Sequence, residues 1–435
     1  MSTLIQSVPE YLTANTATYK NTGSDAIKSI RSGALARFEE MGVPTTRNEE
    51  WKYTSLAELT NSAFAPFSGK HTLTKDEVVR HMLCGPDALL FVFENGKLNK
   101  ALSSTNLPQG VLIGNIADHF DHPAVHEHLA KHANVSGEAM IALNTAYLLD
   151  GAFIHVGPNV ECALPIHLLY LNGGENKMMT FPRNLLVADK FAKVNVVESF
   201  HSRNLRDAVF IDSVTEIVAG YNSKVEWTKV QSENTATTHI SHTEVVQDTA
   251  SYFDIHTITY GGKLVRNNLH IVLNGENITS NLNGLYVGDG ETLIDNHTLV
   301  DHAKPNCLSN ELYKGVLDGN SKGVFNGKIF VRQDAQKTNA YQSNKNLLMS
   351  DGASMNTKPQ LEIFADDVKC SHGATTGQLD AEALFYLRSR GIGADTARAF
   401  LTVAFAEDVL NRISNESVRL KLIELIDAKL LKGQS

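Results

Sequence analysis

The sequence predicts a mainly β protein with helical segments at both ends, and three observations support this fold class. Apolar residues recur with a period of two from about residue 150 to 368, and with a helical period before and after that stretch. Asn, Gly, Asp and Ser separate nearly all of the short apolar runs. About fifteen such runs over roughly two hundred residues are typical of an all-β core.

The N-terminal segment, to about residue 135, has a mostly helical pattern. Residues 26–41 carry apolar side chains at helical spacing, and Gly42 ends that helix. A short strand is predicted at 88–94, followed by a hairpin turn with the sequence Asn-Gly. A further helix is predicted at 123–133.

The length of the β region narrows the choice of architecture. Barrels and sandwiches rarely extend over so many residues as one unit. No helical pattern separates the strands, which disfavours a fold of alternating strands and helices. The polar, glycine-rich corners suggest a parallel β-helix, in which each coil stacks on the next. No fixed period links the corners, so the pattern alone leaves other all-β folds open.

The C-terminal segment returns to helical spacing. Asp380 is a predicted N-cap for a first helix, which ends at Gly391. A second helix is predicted at 394–413 and a third at 418–430. Because three short helices bury little area alone, we expect them to pack either on the β-core or on another chain.

Composition excludes several classes of function. The net charge of −9 and the lack of a Lys/Arg cluster disfavour nucleic-acid binding, since phosphate contacts need clustered basic residues. No apolar run reaches the eighteen or so residues of a membrane span, so no membrane association is expected. The N-terminus lacks a signal-peptide pattern, and the four cysteines are scattered. We therefore expect a cytoplasmic protein.

Several common catalytic motifs are not found in the sequence, which contains no phosphate-binding loop, GxGxxG turn or HExxH pair. His297 and His302 lie near Asp295 and Asp301. Residues five apart on a strand point to opposite faces, so these two histidines are not expected to share one metal ion.

Cys370 and His372 form the most suggestive pair. Two residues apart on an extended segment, they face the same side, and thiolate and imidazole together suit iron or zinc. Two ligands are too few for a closed site, so a partner chain or distant residues would have to complete it. A buried cysteine beside a hydrogen-bonded histidine is the alternative interpretation.

The residues around this pair resemble a known family. Segments 368–380 and 384–392 closely resemble the C-terminal signature of the SufB/SufD family of the SUF iron–sulfur cluster assembly machinery, and in particular its SufD type. SufB-type chains usually show Cys-Glu-His where this chain has Cys-Ser-His at 370–372, and they tend to carry further cysteines. Other segments that look like the family's are 47–54, 295–298, 312–315 and 344–348.

The resemblance implies an architecture and partners. It implies a right-handed parallel β-helix core (136–372) between an N-terminal, mostly helical domain (1–135) and a C-terminal helical domain (373–435). It also implies a non-catalytic scaffold subunit of a SufBCD complex, which pairs with a SufB-like paralogue. Residues 380–435 would dock a SufC-like ATPase, and the apolar face between Ala397 and Ile413 would be a partner surface.

For the site, the resemblance implies that His372 and, beside it, Cys370 are metal-binding residues of a cluster pocket at the SufB interface. No catalytic residue and no stably bound cofactor are expected, only a transient iron–sulfur cluster. A homodimeric β-helix scaffold, formed when the chain is isolated, remains an alternative. A β-helix carbohydrate-active enzyme would need paired carboxylates, and near the motif only Asp366-Asp367 is such a pair, which is more simply a turn.

Overall fold

The computed structural model describes residues 8–18, 23–67, 69–175 and 177–432. It confirms the mainly β fold class, with a two-sheeted parallel β-helix flanked by N-terminal and C-terminal helices. In the described ranges, no helix is both long enough and apolar enough to cross a membrane.

The N-terminal region combines short helices with short strands. The helix predicted at 26–41 and the predicted hairpin are both confirmed, the hairpin by the antiparallel pairing of Phe93 with Leu98. The helix predicted at 123–133 is present but ends at His128. The helices are α1 (Glu10–Ala14), α2 (Asp25–Met41), α3 (Ala57–Asn61), α4 (Lys75–His81), α5 (Pro123–His128) and α6 (Ala139–Ala146). The strands are β1 (Ala65–Pro66), β2 (Leu89–Glu94), β3 (Lys97–Leu98) and β4 (Val111–Asn115), and 3-10 helices lie at Asn15–Thr18, Glu49–Trp51, Lys100–Leu102 and Ile116–His119.

Two features of this region were not predicted. The helix α6 is buried from Met140 to Ala146, so it has no polar face and therefore no amphipathic period that the sequence could reveal. The strand β4 pairs antiparallel with the first strand of the core, while β2 continues the other sheet of the core. Each of the two sheets of the solenoid is thus continued by a strand of the N-terminal region.

The core consists of eight coils in the described chain, each of which gives one strand to each sheet. Within each sheet, successive coils pair in parallel. The strands are β5 (Ala152–Val156), β6 (Ile166–Asn172), β7 (Met178–Thr180), β8 (Arg183–Ala188), β9 (Lys193–Ser202), β10 (Val209–Ala219), β11 (Lys224–Ser232), β12 (Thr238–Gln247), β13 (Tyr252–Thr259), β14 (Leu264–Leu273), β15 (Thr279–Gly288), β16 (Leu293–His302), β17 (Leu308–Leu317), β18 (Lys322–Val331), β19 (Asn339–Leu348), β20 (Ser354–Ile363) and β21 (Lys369–Gly377).

The corners explain why no fixed period was visible. Thr238, Leu264, Leu293, Lys322 and Ser354 occupy one position in successive coils, yet their spacing in the sequence varies. The corners absorb that variation. Several corners turn through a left-handed residue, which is often Asn because its short polar side chain tolerates that conformation.

The lumen between the two sheets is filled by every second side chain. Large residues such as Trp227, Phe253 and Phe325 are fully buried there. Polar side chains also lie inside, and many of them pair with one another. Glu198, for example, accepts a hydrogen bond from the indole of Trp227 and lies 3.5 Å from the ammonium of Lys229. The lumen therefore is a packed interior that includes buried charge.

The C-terminal segment folds into α7 (Ala381–Ser389), α8 (Ala394–Leu410) and α9 (Glu416–Lys432), close to the predicted bounds. Asp380 caps α7 as predicted, accepting hydrogen bonds from two backbone amides of its first turn. The strand β21 extends to Gly377, so the domain boundary predicted after residue 372 falls within a strand.

These helices pack on the protein's own β-core. Val409, Leu410 and Ile413 are buried against the outer face of the sheet that contains β17, where they meet Leu312 and Val316. The expectation that the apolar face between Ala397 and Ile413 is a partner surface is therefore corrected for the part with Val409 and Ile413, which the core covers, whereas Phe400 in the same stretch is exposed. The aromatic side chains left exposed on the helices are Phe385 (73%), Tyr386 (58%) and Phe400 (55%).

Ion pairs fasten the same helices to the sheet. The ammonium of Lys314 lies 2.7 Å from a carboxylate oxygen of Asp408 in α8. The ammonium of Lys429 in α9 lies 2.7 Å from Asp289, which follows β15. The helical segment is thus attached to the coils near the end of the solenoid by both apolar and charged contacts.

Candidate functional site

The last coil of the solenoid, formed by β20 and β21, ends in open strand edges. Each of these strands pairs with the preceding coil, β20 with β18 and β21 with β19, and no described strand pairs with the other edge. Most of β21 is exposed for this reason. The C-terminal end of the β-helix therefore presents unpaired backbone groups, the arrangement to which another strand can be added.

Cys370 and His372 both lie on this edge strand. Cys370 is half-buried and packs with Ile329 and Ala340 on the lumen side. His372 lies two residues further along the strand, faces the same side and is exposed. The structure thus brings the predicted pair together on one side of one strand.

The chemical state of Cys370 follows from its surroundings. Burial raises the pKa of the Cys370 thiol, although a backbone hydrogen bond at Ala340 lowers it somewhat. The thiol is accordingly protonated near neutral pH. A metal ion that binds here must displace that proton, since the thiolate is the form that ligates metals.

Cys370 and His372 form a partial ligand set. Across the residues that the structure describes, no three His, Cys, Asp or Glu side chains are placed so that they could hold a metal ion. A closed iron or zinc site takes four ligands. Further ligands would thus have to come from outside this arrangement.

The prediction for His297 and His302 is confirmed, because they lie on opposite faces of β16. His302 is buried, and its Nε2 lies 2.9 Å from Ser309 Oγ. His297 lies on the outer face, 2.9 Å from Asp295. The prediction that Asp366 and Asp367 form a turn also holds, since both are exposed in the corner between β20 and β21.

Glu311 and Gln342 are lumen residues near this end that the sequence did not single out. Gln342 Nε2 donates a hydrogen bond of 2.7 Å to Glu311 Oε2. Burial raises the pKa of Glu311 to about 7, although the hydrogen bond from Gln342 lowers it. A polar residue among the alternating positions of a strand was the available signal, but it was not distinctive among so many strands.

Two of the segments that resemble the family meet on the outer face of the other sheet. Trp51 stacks under the guanidinium of Arg266 at 4.0 Å, and Thr54 donates a hydrogen bond to Asp295. Burial would raise the pKa of Asp295, but Arg266 and His297 lower it to about 2. A groove of about 300 Å³ lies beside this contact. The contact fixes the N-terminal region on the solenoid.

Comparison with known proteins agrees with the fold and with the motifs. Residues 4–168 match the model of the SufBD protein N-terminal region, and residues 170–405 match that of the SufBD core domain of the SUF system for FeS cluster assembly. The chain is 33% identical over 430 residues to an iron–sulfur cluster assembly SufBD family protein of Synechocystis, which covers 95% of this chain and 94% of the relative.

Two relatives carry the SufD name. The chain is 32% identical over 404 residues to the iron–sulfur cluster assembly protein SufD of Escherichia coli, covering 92% of each chain. It is 27% identical over 417 residues to SufD of Bacillus subtilis, covering 93% of this chain and 94% of that protein. With both family models matched along most of its length, this chain belongs to the SufBD family of SUF-system iron–sulfur cluster assembly proteins.

Proposed function

We propose that this chain is a non-catalytic scaffold subunit of a SufBCD-type complex, in which it pairs with a SufB-like paralogue. The observation that carries the proposal is the open edge of the last coil, which bears Cys370 and His372 on one side of one strand. An edge strand of this kind suits strand-to-strand pairing with a second β-helix. Pairing would place the two side chains at the junction of the subunits.

Iron and sulfide are the substrates in this proposal, and the cluster is transient. Cys370 and His372 supply part of the ligand set, and the SufB-like partner supplies the rest. The exposed position of His372 and the protonated thiol of Cys370 suit a site that forms only when the partner and iron are present. This chain then needs no catalytic residue of its own.

A SufC-like ATPase is the proposed partner of residues 380–435. The exposed aromatic side chains of α7 and α8, Phe385, Tyr386 and Phe400, are of the type that forms the buried centre of protein interfaces. The ion pair between Lys314 and Asp408 attaches α8 to β17, two coils from the edge strand. A pull on the helices would therefore be transmitted to the coils that carry the site.

The test is cluster formation in the assembled complex. His372→Ala should leave this chain copurifying with SufB-like and SufC-like partners, because the change is on an exposed side chain, and should abolish iron–sulfur cluster reconstitution. His126→Ala is the matched control, since His126 is also exposed but lies on α5. Normal reconstitution with His372→Ala would show that the site assignment is wrong.

Homodimer formation by the isolated chain is the second candidate, and it rests on the same open edge. Two copies could pair through their edge strands when no paralogue is present. The measurement is the mass in solution with and without the SufB-like chain. A homodimer that persists in the presence of the paralogue would favour this alternative over the scaffold proposal.

A further inference from the structure

We propose that Gln342, held by Glu311, is a positioning residue for His372. Its carbonyl oxygen Oε1 would accept a hydrogen bond from one ring nitrogen of His372, which leaves the other nitrogen directed at the metal. This inference rests on the proposed function, because it assumes that His372 is a ligand. It adds two residues behind that ligand, inside the lumen.

The strand register places the three side chains in one row. In the parallel ladder of this sheet, Glu311 in β17 is paired with Gln342 in β19, and Gln342 is paired with His372 in β21. Adjacent strands lie about 4.8 Å apart, so each residue of the row is next to the following one. Glu311 and Gln342 are buried in the lumen, whereas His372 is exposed at the open end.

The hydrogen bonds leave one acceptor free on the Gln342 amide. Nε2 of Gln342 donates a hydrogen bond of 2.7 Å to Glu311 Oε2. Oε1 of Gln342 is buried and has no hydrogen-bond partner, and the same holds for Oε1 of Glu311. Buried polar groups in proteins are nearly always paired, so an unpaired one calls for an explanation. A hydrogen bond from His372 would satisfy the Gln342 carbonyl.

The opposite wall of the lumen holds the amide in place. A Cβ atom on Gly327, in the facing sheet, would lie 2.2 Å from Nε2 of Gln342. Glycine at this position thus makes the room that the amide fills. Since the amide is confined between Gly327 and Glu311, its orientation is set before any metal binds.

Glu311 differs from the other carboxylates that line the lumen. Glu198 lies 3.5 Å from Lys229, and Glu233 lies 2.6 Å from a ring nitrogen of His239. Within the described chain, Glu311 has no such basic neighbour and contacts an amide instead. A buried carboxyl without an ion pair costs stability, so its presence next to the site favours a functional role.

The chemistry is that of ligand orientation. A histidine that binds a metal usually donates its other N–H to a carboxylate or carbonyl, which fixes the tautomer and the ring plane. Removing such an outer partner typically weakens metal binding by about 10- to 100-fold. Gln342→Met and Glu311→Leu should have effects of this size. Glu311→Gln keeps an acceptor for Gln342 Nε2 and should bind metal as the unmodified chain does.

The experiment is a titration of Co²⁺ into the complex of the full chain with its SufB-like and SufC-like partners, followed by the thiolate-to-cobalt absorption. Gln360→Met is the matched control, because it makes the same change on β20 in the other sheet, outside the Glu311–Gln342–His372 row. A thermal unfolding curve for each variant shows that it is folded. His372→Ala serves as the reference for loss of the ligand.

A double-mutant cycle separates positioning from a structural role. If Gln342 acts through His372, then Gln342→Met weakens Co²⁺ binding in the unmodified chain but adds nothing in the His372→Ala background. Additive effects of the two changes would overturn the inference, as would a Gln342→Met chain that binds Co²⁺ normally while His372→Ala does not. If His372→Ala itself binds Co²⁺ normally, the proposed site fails instead.

Discussion

Glu311 carries a stability consequence that can be measured without any partner. Its pKa is raised to about 7 by burial, against an ordinary value of 4.5. Between these two values the folded chain keeps a proton that the unfolded chain has lost, so the free energy of unfolding falls as pH rises through this window. This pKa shift corresponds to a loss of about 3 kcal/mol in the free energy of unfolding, and the loss is complete above pH 7.

Glu311→Gln should remove that dependence. We expect the variant to be as stable as the unmodified chain near pH 4 and more stable, by up to about 3 kcal/mol, at pH 8. Urea unfolding at several pH values measures this difference. Glu39→Gln, an exposed change on α2, should give no such trend. A Glu311→Gln chain that parallels the unmodified chain at every pH would mean that the pKa of Glu311 is the same in the folded and the unfolded chain.

At the scale of single residues, sequence reasoning found Cys370 and His372 but not their neighbours in the lumen. Alternation along a strand predicts that residues 370 and 372 share a side, and this is what the structure has. That Gln342 lies beside His372 depends on how the coils are stacked. Predicting it would require the register between the strands. Corner lengths set that register, and they vary from coil to coil.

The contact between residues 47–54 and the outer face of β14 and β16 joins two parts of the protein that are far apart in the chain. Arg266 is at its centre, because its Nη1 lies 2.6 Å from Asp295 Oδ2 and 2.7 Å from the carbonyl of Glu50. Both charged side chains of this pair are buried. Of the neighbours that offset the buried charge of Asp295, Arg266 contributes most and His297 follows.

Arg266→Met should therefore destabilise the chain by about 3–5 kcal/mol, since it removes the permanent cation beside the buried Asp295 and leaves that carboxylate with only His297 and Thr54. The matched control is Lys263→Met. Lys263 also makes an ion pair of 2.6 Å, with Glu58, but both of those side chains are well exposed, so the loss should be below about 1 kcal/mol. Chemical denaturation of the two variants gives the comparison. Equal losses would contradict the role assigned to burial.

At the scale of elements, the predictions succeeded where a period was present. The helix α2, the β2–β3 hairpin and the three C-terminal helices all have such a pattern and were found. The helix α6 was missed because all of its sides are covered, so no polar face marks its period. The sequence did not show what α8 packs against, because an apolar stripe has the same pattern whether the protein's own sheet or a partner covers it.

For the whole molecule, the sequence indicated an all-β core with helical ends, and resemblance to a family was needed to favour the β-helix over other architectures. The arrangement of the C-terminal helices on the core has a testable consequence. Val409→Asp places a charge against the apolar sheet face and should release α8 and α9, which limited proteolysis would detect as cleavage within residues 394–432.

Phe400→Asp is the matched change on the exposed side of α8. It should leave the helices protected from protease, yet it should weaken copurification with the SufC-like ATPase under the proposed function. Protection lost in Phe400→Asp would show that this side of α8 is also needed for packing on the core. Retained copurification would place the ATPase contact elsewhere on the helices.

The last coil has one further consequence, which concerns fraying. A solenoid is stabilised largely by contacts between neighbouring coils, and the coil of β20 and β21 has such a neighbour on one side only. Amide groups in this coil should open at a lower free energy than those in the middle of the stack. Cys370 and His372 therefore lie in a part of the solenoid that unfolds locally at low cost, and a bound partner would stabilise this end as a cap.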